Sequence, residues 1–255
     1  MQIDEYRKLA ALEDRMWYFC ALHRRFYFWL CRGLPPGAAS ILDAGCGTGG
    51  LIKRFGARHR HWRLTGLDNG SLACALAAER TNAEIVTGSI TALPFGDGEF
   101  DAVVSGDVVC QVADAAEALR ECARCVRPGG LVLVNVQAFM WLWSYHDETC
   151  ETRHRYTRPE LEGLFRTAGL AVEFASYANG LSLPLIAARR KLFRPARPTS
   201  DVRHYPAAIE AGFALLARLE FEGMRRGWRL PLGSSVFAVG RKPPAFSSRV
   251  PSLGR

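Results

Sequence analysis

Two periods of apolar and polar positions alternate along this chain. Short apolar runs at Ser40–Gly45, Trp62–Asp68, Ala83–Ser89 and Leu131–Phe139 read as strands, and Leu93–Asp107 as an Asp97-Gly98 turn followed by a further strand; several are closed by glycine or aspartate. Between them, Gly50–His59, Ser71–Thr81 and Asp114–Cys125 follow a helical period, the last closed by Pro128-Gly129-Gly130. Leu131–Phe139 has no polar face for most of its length, as a strand buried on both sides requires. Upstream, residues 1–33 read as helical and rich in aromatics, and Pro35-Pro36-Gly37 breaks them off. Downstream, Thr157–Leu170 reads as a helix with a Thr157/Glu160 capping box and Gly169 at its stop. Ala171–Tyr177 and Ser234–Pro243 are a sixth and a seventh strand, separated by more than fifty residues that include an amphipathic helix near 207–227.

Strands alternating with helices predict an α/β fold built on a doubly wound parallel sheet. Ligands of such sheets bind at the carboxyl ends of the strands. Gly45, Asp68, Ser89 and Gly106 all fall at such ends, so residues more than sixty positions apart are expected to share one cleft. The expected organisation is one domain over 1–242, with a helical cap at 1–37, a helical insert at 179–234 and a disordered tail at 243–255.

The stretch Ile41–Gly50 reads "ILDAGCGTGG". Gly45, Gly47 and Gly50 meet the spacing of a dinucleotide loop, and Asp68 at the end of the second strand would serve any ribose. These two features alone do not choose between a nicotinamide nucleotide and S-adenosylmethionine. Asp43 helps to choose. An anion beside a pyrophosphate is unfavourable, and beside an ammonium it is favourable.

Four stretches taken in order resemble the class I S-adenosylmethionine-dependent methyltransferases, small-molecule branch. They are the glycine loop, Asp68, the segment Leu93-Pro94-Phe95 with Asp97-Gly98 and Phe100-Asp101, and Pro128-Gly129-Gly130. The resemblance implies a seven-stranded, mostly parallel sheet with the last strand antiparallel, helices on both faces, and S-adenosylmethionine as cofactor. It implies that Gly45, Gly47 and Gly49 admit the methionyl part, that Asp43 orders its ammonium, and that Asp68 takes the ribose hydroxyls with Asn69 under the adenine. Gly106 and Asp107 would lie beside the sulfonium, with Asp107 as a helix N-cap the competing reading. The family commonly places an aspartate where this chain has Ser89; the hydroxyl and the Ile90 backbone are left to meet the adenine.

The acceptor side is less explicit. Methyl transfer is an in-line displacement in which positioning does most of the work, and an oxygen acceptor usually needs a base. His146, Asp147 and His154 follow the fifth strand and are the candidate bases, His146 first; capping or mutual pairing is the alternative for His146 and Asp147. Met140, Trp141 and Trp143 are candidates for an apolar acceptor pocket or for core. Glu13–Leu30 resembles a Trp/Phe-rich N-terminal helix of one bacterial branch, with its arginine pair shifted to Arg24 and Arg25, so Trp17, Tyr18 and Arg24 are expected to close over the site.

Net charge of +8 admits nucleic acid, an anionic surface or a merely solvated face. The acceptor is expected to be a small apolar or amphiphilic molecule, methylated most plausibly at oxygen, with carbon, nitrogen or lipid-linked acceptors as alternatives. A nucleic-acid methyltransferase is disfavoured because Ser105-Gly106-Asp107-Val108 stands where exocyclic-amine enzymes carry an Asn-Pro-Pro-aromatic motif. A protein that binds the cofactor for a non-methylating reaction is a further alternative. The basic, apolar insert suits a lid, a homodimer interface or a membrane surface. No signal-like or membrane-spanning run is read, so a cytoplasmic setting is expected. Cys122 and Cys125 form a lone pair without a second one nearby, so no metal is expected.

Overall fold

The computed structural model describes residues 3–192, 195 and 199–244. Seven strands form one sheet in the order β3-β2-β1-β4-β5-β7-β6. They are β1 (Ala39–Ala44), β2 (Trp62–Asp68), β3 (Glu84–Thr87), β4 (Phe100–Gly106), β5 (Val126–Gln137), β6 (Ala171–Ala178) and β7 (Ser235–Arg241). β7 runs antiparallel to both β5 and β6, and the other pairings are parallel. The strand order reverses between β1 and β4, which opens a crevice at their carboxyl ends.

Side-chain parity along β5 shows why its sequence lacks a polar face. Leu131 and Leu133 enter one apolar cluster with Ile41, Phe55 and Phe26. Val132, Val134 and Val136 enter the other, with Leu119 and Phe165. Burying each such side chain stabilises the fold by about 1.5–3 kcal/mol. The first cluster is covered by α2 (Trp17–Gly33) and α3 (Gly50–Gly56), the second by α5 (Ala115–Cys125) and α7 (Arg158–Thr167). Asp114 caps α5 by accepting from the Glu117 N–H at 2.8 Å, and the expected Thr157/Glu160 box caps α7.

Three boundaries differ from the sequence reading. β5 begins at Val126, before Pro128-Gly129-Gly130, because the chain pairs once with Phe100, bulges, and resumes pairing at Leu131. α4 (Ser71–Arg80) is preceded by Gly70 and receives no side-chain cap from Ser71. Among the described residues the insert carries two helices, α8 (Leu183–Leu192) and α9 (Ala207–Arg225), where the periodicity indicates one. Of the expected disordered tail, residues 245–255 lie outside the described residues. Cys122 and Cys125 are fully buried in the core, and no metal-ligating cluster exists among the described residues.

Candidate active site

A cavity of about 960 Å³ lies over the β1/β4 crevice. Its floor is made by the ends of β1, β2 and β4, and its roof by α1 (Ile3–Leu12), α2, α8 and α9. The volume is at the upper end of the ~300–1,000 Å³ typical of small-ligand pockets.

The acids are gathered at one end. Asp68 Oδ2 accepts from the Gly47 N–H at 2.9 Å, and Oδ1 accepts from the Gly70 N–H at 2.8 Å. One carboxylate thus fixes the loops that follow both β1 and β2, and it also bonds the Tyr6 hydroxyl of α1. Gly47 has φ +53 and Gly45 φ +95, conformations that favour glycine, and a Cβ on Gly45 would sit 2.0 Å from Val108. Asp43 is 4% exposed and makes no ion pair among the described residues. Burial, then the charges of Glu13 and Asp68, push its carboxyl up to about 8. Glu13, which follows α1, closes this end by bonding Thr48 and Arg80.

The glycines divide differently from expectation. Gly49 does not line the cavity. It has φ +83 at the start of α3, and a Cβ there would press on Ala77 and Thr81 at 3.1 Å. Its role is to let α3 approach α4. Ser89 and Asn69 line the cavity and are exposed, and Ile90 lines it from a buried position.

At the end of β4, Gly106 and Asp107 line the cavity. Asp107 caps no helix, since residues 108–114 are turns. Instead Oδ2 accepts from the Tyr18 hydroxyl at 2.6 Å and Oδ1 accepts from Asn135 Nδ2 at 2.9 Å. Burial raises the pKa of both Asp107 and Tyr18. Asn135 and Gln137 were legible only as interruptions in an apolar strand. They stand two residues apart, hence on one face of β5, and both are buried.

Trp17 lines the cavity, stacked on Phe213 of α9 at 4.9 Å. Arg24 does not. It is seven residues on, so it shares the helix face that α9 covers, and its guanidinium lies 5.7 Å from the Phe221 ring. Met140, Trp141 and Trp143 are also outside the cavity. The chain turns outward at Phe139 (φ +59) into a single 3-10 turn, which leaves Met140 and Trp141 about half exposed while Leu142 takes the buried position.

The three candidate bases have separate fates. His154 is outside the cavity, 3.6 Å from Glu160. Asp147 lines the cavity but is fully buried with both oxygens engaged: it accepts from the Ser144 N–H at 2.9 Å as part of a capping box on α6 (Tyr145–Thr149), and from Arg155 Nε at 2.7 Å. His146 does line the cavity, but its Nδ1 accepts from the Asp201 N–H at 3.1 Å. That leaves the proton on Nε2, and the group 3.5 Å from it is the Gln137 amide nitrogen, which is itself a donor. Burial first, then Arg190, pulls its pKa down to about 4. The imidazole is therefore neutral, and its accepting nitrogen is already bonded to the Asp201 N–H. Of the alternative, helix capping is what the structure shows for Asp147, and its ionic partner is Arg155 and not His146.

Sequence comparison bears on the same region. Residues 42–134 match the family model described as a methyltransferase domain. A Malonyl-[acyl-carrier protein] O-methyltransferase of Erwinia pyrifoliae is 33% identical over 167 residues, covering 62% of this chain and 62% of that protein. An uncharacterized 37.1 kDa protein in a Streptomyces fradiae transposon is 29% identical over 191 residues, covering 70% and 54%. The chain thus spans about half to three fifths of the length of these relatives. Among solved structures, a chain from the complex of the Haloferax volcanii Trm112 methyltransferase activator with a methyltransferase superposes with TM-score 0.61 at 22% identity, covering 94% of this chain and 98% of that one. The matched segment holds the glycine loop, Asp43, Asp68, Gly106 and Asp107. The helical roof lies outside the matched segment.

Proposed function

We propose that the chain is an S-adenosylmethionine-dependent methyltransferase acting on a small, largely apolar acceptor at oxygen. Asp43 carries this reading. It is a buried carboxyl beside the glycine loop with no cation of its own, among Glu13 and Asp68. A pyrophosphate would add negative charge there, whereas a methionyl ammonium supplies the missing cation. Asp68 would take the ribose hydroxyls, and Gly106 and Asp107 would border the sulfonium. The O-methyltransferase relative and the apolar roof of Trp17, Phe213, Ile186 and Ile209 support the acceptor class. With His146 neutral and its Nδ1 bonded to the Asp201 N–H, the reading takes an acceptor oxygen that is acidic or already ionised, and orientation supplies most of the rate.

The setting we propose is the cytoplasm, with α8 and α9 as a lid. No helix among the described residues is long and apolar enough to cross a membrane. Leu192, Leu215 and Leu219 are exposed on these helices, and a second copy or a membrane surface is the contact they suit. Calorimetry with S-adenosylhomocysteine and with NAD, followed by transfer of a labelled methyl group, tests the reading. Tighter binding of NAD would sink it.

A further inference from the structure

The far wall of the cavity is basic, opposite in sign to the acid end. Arg189 and Arg190, both on α8, share one carboxylate: Arg190 Nε lies 2.8 Å from Asp201 Oδ2, and Arg189 Nε lies 3.3 Å from Asp201 Oδ1. Arg155 nearby is matched one-to-one by Asp147. His146, wedged between these pairs, contributes no charge at neutral pH, because burial and Arg190 hold it near 4. The cluster therefore carries one cation more than it has anions. Arg190 is 9% exposed and lines the cavity, yet its Nη1 has no hydrogen-bond partner among the described residues. A buried guanidinium with an unused donor and half a counter-ion is costly unless something else completes it. Ile186, one turn before these arginines on α8, and Val202, next to Asp201, also line the cavity and belong to the apolar cluster around Trp17 and Phe213.

We propose that the acceptor is an amphiphilic acid, whose anionic oxygens complete the Arg189–Arg190 pair while its apolar body lies against Ile186, Trp17 and Phe213. The inference rests on the reading of this cavity as a methyl-transfer site and names the acceptor class for it. It gives each charged end of the cavity its own ligand: the sulfonium cofactor on the acids, the acceptor anion on the arginines. A guanidinium pair suits a carboxylate or a phosphate through parallel N–H donors.

The test uses the whole chain saturated with S-adenosylhomocysteine, so that the cofactor's own carboxylate is already seated. Decanoate, decyl phosphate and the neutral decanol are the probes, titrated by calorimetry. Decanoate or decyl phosphate should bind about ten- to a hundred-fold tighter than decanol, the span of a hydrogen bond to a charged group. Which of the two binds better assigns the anion as carboxylate or phosphate. Arg190→Gln should erase most of that preference. So should Arg189→Gln, a more exposed site where folding is less at risk, because either change leaves one arginine for one aspartate. Both variants should hold S-adenosylhomocysteine as the parent does. Equal binding of decanol and the acids by the parent overturns the inference, as does a loss of S-adenosylhomocysteine affinity in the variants, which would give the arginines to the cofactor. If the parent does not bind S-adenosylhomocysteine at all, it is the methyltransferase reading that fails.

Discussion

The Tyr18 hydroxyl donates to Asp107 Oδ2 at 2.6 Å and so ties the N-terminal helical cap to the carboxyl end of β4. The two residues are 89 positions apart. Asn135 Nδ2 holds the other oxygen of Asp107 from β5. Asp107 itself has φ +60, a conformation that side chains seldom adopt, at the point where the crevice opens. The hydrogen bonds over-determine that strained residue, and the cap is thereby fixed over the crevice.

Tyr18→Phe should leave a buried carboxyl with one partner fewer and destabilise the protein by about 1–3 kcal/mol. Asp107→Asn in the same background should cost much less than it does alone. A double-mutant cycle by urea unfolding measures this coupling, and additive effects would dissolve the pair.

Asp68→Ala should weaken S-adenosylhomocysteine by about ten- to a hundred-fold, since charged hydrogen bonds are worth roughly 1.5–3 kcal/mol. The effect has two sources: lost ribose contacts, and release of the Gly47 and Gly70 N–H groups that Asp68 holds. Calorimetry on the folded variant reads it, and an unchanged dissociation constant would remove Asp68 from the site.

Asp43 makes cofactor binding depend on pH. Its carboxyl is raised to about 8, so it is protonated in the free protein below that value. A cationic ligand favours the carboxylate and lowers this pKa, so binding releases a proton. Affinity for S-adenosylmethionine should therefore rise with pH from 6 and level off near 8. The stability of the free protein runs the other way. A raised acid pKa stabilises below the unfolded value near 4 and is lost as pH climbs toward 8. Asp43→Asn should flatten the binding slope; calorimetry in buffers of different ionisation enthalpy counts the proton.

His146→Gln keeps an N–H donor in place of Nε2 and removes any imidazole. Turnover should stay within about ten-fold of the parent, short of the 10²–10⁴-fold loss expected for a general base. The pH–rate profile should show no limb at pH 6–7 that vanishes in the variant. A limb that does vanish would restore His146 as the proton acceptor.

Periodicity and turn chemistry made the sheet legible. Strands buried on both faces, such as Leu131–Val136, must be apolar throughout, and helices such as α7 carry their caps locally in Thr157 and Glu160. The glycine loop and Asp68 were legible for the same reason: each sits where a strand ends, and strand ends converge in a doubly wound sheet. The sequence by itself therefore determined the α/β core and the region of the crevice where a ligand belongs. Tertiary structure decided the rest, because it depends on contacts that no local pattern encodes. Arg24 shares the α9-facing side of Trp17 but lies two turns further along α2, against Phe221 and outside the cavity, and the outward turn at Phe139 left Met140, Trp141 and Trp143 outside it. Gly49 answers to a neighbouring helix and not to a ligand. Asp147 spends its lone pairs on Ser144 and Arg155, and a backbone N–H from Asp201, fifty-five residues on, fixes which nitrogen of His146 carries the proton. Protonation and charge balance are properties of three-dimensional neighbours, so the basic wall shared by Arg189, Arg190 and Asp201 existed only once α8 and residue 201 had been brought together.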